Sequence, residues 1–131
     1  MDAGSFLELP VTTMPLFKTP IHFSYLTYLG MFSETLAMAY LKTAILMCRL
    51  TRTEPSLLLH PLDFLGREDD SDLASFPAMR MPVAEKLRLM GRFMDELAGR
   101  FTPVTMGQHV DHIEAGGPLK GYRPTFSPQR A

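Results

Sequence analysis

The 131 residues hold a single cysteine, Cys48. No internal disulfide can form, and a four-cysteine metal site is excluded. A reducing compartment fits better than a secreted, disulfide-stapled scaffold. Neither sign of charge is in excess: 13 Lys and Arg stand against 14 Asp and Glu, for a formal net charge of -1. Nucleic-acid binders carry a basic excess or a basic face, and neither is visible, so nucleic acid is not expected as a partner. The opening residues, MDAGSFLELP, lack the basic n-region and the apolar h-region of a signal peptide. An uninterrupted apolar run is lacking too. The strongest membrane candidate, Leu29 to Leu50, contains Glu34, Lys42 and Arg49. Spanning takes about 20 mostly apolar residues, and a charge near the centre costs about 2.5–3.5 kcal/mol. The stretch is expected to be a buried helix of a soluble, cytoplasmic protein. The alternative is a helix lying against a membrane surface.

What remains is enough chain for one domain. Hydrophobic residues make up 46% of it, close to the globular average. Phe6 to Thr13 alternates as a short strand, with Pro10 placing it at an edge or ending it. Phe23 to Arg52 is helical, with Phe32, Leu36, Tyr40, Ala44 and Met47 on one stripe and Met38, Leu41 and Ile45 on another side, and with the part before Gly30 open as a separate turn of helix or a loop. Ser56 to His60 is a short apolar run bounded by prolines. It suits a buried strand, although periodicity alone leaves helix open. Gly66 to Asp72 reads as an exposed loop. Pro82 to Phe101 is the most regular helix, with Val83, Leu87, Met90, Met94, Leu97 and Phe101 in steps of four and three. Lys86, Arg88, Arg92 and Asp95 fall on its other faces, and the basic residues there, with Arg80, read as solvated. Val104 to Val110 is a candidate last strand. From Gly116 on, glycine and proline mark a tail. Strands alternating with helices imply a parallel α/β arrangement, in which functional residues gather at the C-terminal ends of strands. His60 occupies such an end.

Three segments then come together: Glu8-Leu9-Pro10-Val11-Thr12-Thr13, Leu57-Leu58-Leu59-His60-Pro61-Leu62-Asp63-Phe64, and Phe76-Pro77-Ala78-Met79. In this order, with a long helix between the first two, they resemble the C-terminal part of the NodB-homology polysaccharide deacetylases. The nearer likeness is to the branch acting on lipid-linked amino sugars and hopanoid-associated substrates. The likeness runs roughly from Phe6 to His112. It implies the C-terminal part of a (β/α) polysaccharide-deacetylase barrel over residues 1–112, with residues 113–131 as a flexible Gly/Pro-rich tail. It also implies metal-dependent hydrolysis of N-acyl (acetyl or formyl) groups on an amino-sugar glycan or lipid-linked sugar. In that family a zinc-like divalent metal is held by one Asp and two His of early motifs, and a second early Asp serves as base. A late histidine after a run of leucines protonates the departing amine. By this likeness His60 is the catalytic acid, and Leu57, Leu58 and Leu59 form the apolar pocket for the acyl methyl. A histidine can deliver a proton near neutral pH, and an amine leaves poorly without one. The sequence has no Thr-Phe-Asp-Asp and no His-x-x-x-His. The metal ligands of the family are therefore absent, and activity would require a complementing N-terminal chain. A truncated product, one chain of a split enzyme, a misplaced start and a non-catalytic interaction protein are all open. Ala78 stands where the branch is expected to have glycine, which would strain the turn if a positive φ were needed.

Other residues have plainer readings. His109, Asp111 and His112 can bind zinc by type, but their spacing fits neither one helix face nor one strand face. His22 and Ser24 start a helix, with Ser24 as a possible cap. Cys48 and the methionines read as buried packing.

Overall fold

The computed structural model describes residues 6–19, 21–69 and 72–121. Among these the regular structure is helical. There are α1 (Phe23–Phe32), α2 (Glu34–Leu50), α3 (Val83–Ala98) and α4 (Met106–Ala115), with short 3-10 turns at Pro61–Asp63, Asp72–Ser75 and Pro77–Arg80. No β-strand occurs among the described residues. The expected α/β class, as the C-terminal part of a (β/α) deacetylase barrel, is overturned: the protein is a small all-helical one.

The misassigned strands have physical explanations. Phe6 to Thr13 and Ser56 to His60 are largely irregular, and they do meet. The Thr12 N–H donates to Ser56 Oγ at 3.1 Å and the Ser56 N–H to Thr12 Oγ1 at 2.7 Å, while Ser56 Oγ donates to the Pro10 carbonyl at 2.9 Å. Hydroxyls thus stand in for a backbone ladder. Pro10 and Pro55 flank the meeting point without an N–H to give one. Val104 to Val110 is no strand either, because Thr105 starts α4. Its Oγ1 accepts from the Gln108 N–H at 3.2 Å, and Gln108 Oε1 accepts from the Thr105 N–H at 2.9 Å. This reciprocal cap nucleates helix in a β-branched neighbourhood.

The helical stretch from Phe23 to Arg52 is two helices, and the separate piece expected before Gly30 runs on to Phe32 as α1. Ser33 (φ -162, ψ 115) leaves helical torsions between them. Its N–H donates to the Leu29 carbonyl at 3.0 Å, closing α1, and its Oγ accepts from the Leu36 N–H at 3.2 Å, opening α2. Glu34 then sits in the first turn of α2, where a carboxylate suits the helix dipole. It also pairs with Arg88 at 2.8 Å and with Arg92 of α3.

The chain divides into two compact units, residues 1–101 and 102–131. In the first, α1, α2 and α3 pack on one another. The core holds Ile21, Phe23 and Leu26 from around α1, Ala37, Leu41, Ala44, Ile45 and Cys48 from α2, and Leu89, Met90, Phe93 and Leu97 from α3. Phe23 and Phe93 bring their rings to 6.3 Å. Gly30 lets α1 approach α3, because a methyl there would overlap Leu89 Cδ2. Of the apolar positions expected on this stretch, Leu41, Ala44 and Ile45 are buried, whereas Phe32 at the end of α1 is 71% exposed and Leu36 of α2 is exposed as well. On α3, Leu87 and Met94 are exposed, whereas Lys86, expected on a solvated face, is completely buried. Arg80, Arg88 and Arg92 are exposed as expected. Met14, Met79, Met81 and Met90 are buried, but Met94 and Met106 are not. Within the Gly66 to Asp72 loop, Gly66 is buried and Arg67 to Asp69 are exposed, while Asp70 and Ser71 lie outside the described residues.

In the second unit, α4 buries none of its residues. Of the expected tail, residues 122–131 lie outside the described residues. No helix among the described residues is long and apolar enough to cross a membrane.

Candidate functional site

The segment leading to His60 is tied to the start of α1, where the Phe23 N–H donates to the Leu58 carbonyl at 3.5 Å. His60 keeps extended torsions (φ -109, ψ 153), and Pro61 then opens a 3-10 turn with its preset φ. The turn brings Asp63 back beneath His60. The Asp63 N–H donates to the His60 carbonyl at 2.9 Å, and Asp63 Oδ2 accepts from the His60 N–H at 2.7 Å. Asp63 is only 1% exposed. Its other oxygen, Oδ1, accepts from Ser24 Oγ of α1 at 2.6 Å. Ser24 Oγ also lies 3.2 Å from His60 Nδ1, and Asp63 Oδ2 lies 3.9 Å from the same nitrogen. One edge of the imidazole is thus held by a hydroxyl with a buried carboxylate behind it. The His60 side chain is otherwise 47% exposed. A buried carboxylate with a hydrogen bond to each oxygen is a rigid anchor.

His22 stands beside this group. Its Nδ1 accepts from the Tyr25 N–H at 3.2 Å, which makes His22, not Ser24, the cap of α1. The His22 and His60 rings meet edge-on with centroids 6.1 Å apart.

From the other side, α3 reaches in with Lys86. Its Nζ donates to the Leu62 carbonyl at 2.9 Å and to the Leu65 carbonyl, and it approaches Met79 Sδ at 3.9 Å. These carbonyls bracket Asp63, so Lys86 pins the turn that carries the carboxylate. Burial pushes the Lys86 ammonium below its ordinary value. The carboxylates of Asp63, Asp69 and Glu68 work in the opposite direction.

Of the residues expected to form the site, His60 has a built environment. Leu57 packs against the core, while Leu58 and Leu59 are exposed. Ala78 lies in the 3-10 turn at Pro77–Arg80 and carries no strain, because the non-glycine residues with positive φ are Lys18 and Arg52. Cys48 is buried and free, and burial pushes its thiol up. His109, Asp111 and His112 lie on α4, where residues three apart share a side and the residue between them does not. Among the described residues no three His, Cys, Asp or Glu side chains stand where they can hold a metal ion. The described residues thus do not fit the divalent metal that the deacetylase likeness implies.

Asp63 and Lys86 are site residues with no such role expected from the sequence, and Ser24, expected as a helix start, joins them. Signals for two of them exist. In His60-Pro61-Leu62-Asp63 a carboxylate follows three residues after an extended residue and a proline, a helix-start pattern. Lys86 lies in phase with Leu89, Met90, Phe93 and Leu97, which puts it on the buried stripe. Nothing in the sequence links Ser24 to the other two.

Compared with family models, with curated proteins and with solved structures, the chain matches none.

Proposed function

We propose that this protein serves the hydrolysis of N-acyl groups, acetyl or formyl, on amino sugars, with His60 as the group that protonates the departing amine. The observation that carries this reading is the setting of His60: an imidazole gripped along one edge by Ser24 over the buried Asp63, and open to solvent elsewhere. A proton-transfer group needs that combination of fixed orientation and access. When water has added to the amide carbonyl, the C–N bond breaks only as the nitrogen acquires a proton. His60 gives that proton, and the products are a carboxylate and a free amine. Exposed Leu58 and Leu59, adjacent in sequence, offer apolar surface to the acyl methyl. The likeness of the His60 segment to the deacetylases supports the substrate class, but it does not carry the barrel with it.

Activation of the water has no candidate among the described residues, so the reaction calls for a complementing chain that carries it. The substrate is an amino-sugar glycan or a lipid-linked sugar. Association with a membrane surface from the cytoplasmic side would suit the latter. A second reading, a non-catalytic interaction protein, draws on the exposure of large apolar side chains such as Phe32 and Leu50.

The test is release of amine from N-acetyl and N-formyl amino sugars, with this chain combined with a polypeptide bearing the aspartate and histidine motifs. His60→Ala is expected to lower kcat by about 10²–10⁴-fold, the usual weight of general acid catalysis. Equal turnover in wild type and variant would remove the assignment and favour the interaction reading.

A further inference from the structure

We infer that Ser24 is a positioning residue that holds His60 in the Nδ1–H tautomer, so that Nε2 is the ring atom that exchanges protons. The inference deepens the proton-transfer reading of His60 without depending on the substrate.

A serine hydroxyl has one proton to give and two lone pairs. An ionised carboxylate only accepts. Both oxygens of Asp63 accept here, Oδ2 from the His60 N–H at 2.7 Å and Oδ1 from Ser24 Oγ at 2.6 Å. The Ser24 proton is therefore committed to Asp63. What Ser24 Oγ turns toward His60 Nδ1, 3.2 Å away, is a lone pair that a proton on Nδ1 would meet, while the Asp63 N–H, which also faces the His60 side chain, is taken by the His60 carbonyl at 2.9 Å. In the neutral ring the second nitrogen then carries no proton. Among the described residues nothing pairs with it, and the side chain is half-exposed.

His22 provides the opposite case within the same structure. Its Nδ1 accepts a backbone N–H from Tyr25, so in the neutral ring its proton sits on Nε2. Two neighbouring histidines, 6.1 Å apart between ring centroids, are thus set in opposite tautomers by the first turn of one helix.

Nitrogen-15 NMR of the imidazoles in the full chain tests this, at a pH above the histidine titration range. In wild type, His60 is expected to show a protonated Nδ1 and an unprotonated Nε2, and His22 the reverse. In Ser24→Ala the His60 proton is expected to move largely to Nε2 while the His22 signals stay. Ser24→Thr, which keeps the hydroxyl, is expected to retain the wild-type pattern. An Nε2–H tautomer for His60 in wild type would overturn the inference, and that spectrum decides even if a variant fails to fold. A His60 pattern unchanged by Ser24→Ala would overturn it as well. The predicted tautomers together with unchanged turnover in His60→Ala would leave the inference standing and sink the proposed function.

Discussion

Replacing Lys86 with methionine probes the packing that carries the site. Lys86 is 0% exposed, and its Nζ donates to the carbonyls of Leu62 and Leu65 on either side of Asp63. Methionine fills much the same space but leaves both carbonyls without that donor. An unsatisfied buried polar group costs about 1–3 kcal/mol. Against this stands the relief of a buried ammonium, since removing a buried charge with apolar replacement recovers part of its desolvation. The two carbonyls and the uncompensated Asp63 outweigh that relief, and a net loss of about 2–4 kcal/mol is expected. Urea unfolding of both proteins measures it. The pH dependence adds an independent sign. The Lys86 ammonium titrates below its ordinary value of 10.5 in the folded state. Between that lowered value and 10.5 the unfolded chain binds more protons, so wild-type stability gains with rising pH through this group. Methionine has no such titration. The stability gap between wild type and Lys86→Met should therefore widen from neutral pH toward 10.5. A variant as stable as wild type, or a gap that narrows as pH rises, would refute the reasoning.

Three further outcomes are expected. Thr27 is fully buried with an Oγ1 that has no partner among the described residues, so Thr27→Val should raise stability by about 1 kcal/mol in thermal unfolding; a loss would show that the hydroxyl is satisfied. A Cβ on Gly66 would lie 2.7 Å from Val83 Cα, backbone at the start of α3, so Gly66→Ala should cost about 1–3 kcal/mol, and a neutral result would contradict the close approach. Phe32 at 71% and Leu50 at 75% exposure should make the isolated chain self-associate, and light scattering that finds a monomer at all concentrations would show that these side chains are covered.

Much of the helical content is legible in the sequence, and the sheet expected beside it does not occur among the described residues. The α3 pattern announces itself because its apolar residues repeat over several turns. The break at Ser33 is marked by the cap Ser33-Glu34, three residues beyond Gly30, because the apolar pattern resumes at Leu36 and conceals where α1 ends. The strands of Phe6 to Thr13 and Ser56 to His60 illustrate a limit of local pattern. Alternation and apolar runs describe extended chain, whereas a strand needs a partner with free N–H groups, and Pro10 and Pro55 withhold them. For the site, His60 stands out through its leucine run. Asp63 and Lys86 have local signals that are readable in retrospect. Ser24 lies 36 residues from His60, and only the packing of α1 against the 3-10 turn joins them. Lys86 reads as solvated by its charge and as buried by its phase on the helix, and in the structure the phase prevails.

The most direct measurement of the role of His60 is the dependence of its contribution on the leaving group. With the complementing chain supplied, His60→Ala and His60→Gln are compared with wild type on an N-acetyl amino sugar and on an activated aryl ester, whose leaving group needs no proton. Thermal unfolding is followed alongside. The expected result is a fall in kcat of about 10²–10⁴-fold on the amide and a much smaller one on the ester, at nearly unchanged stability. Equal falls on both substrates, or a loss of stability with turnover preserved, would contradict the account and leave His60 as the start of a 3-10 turn.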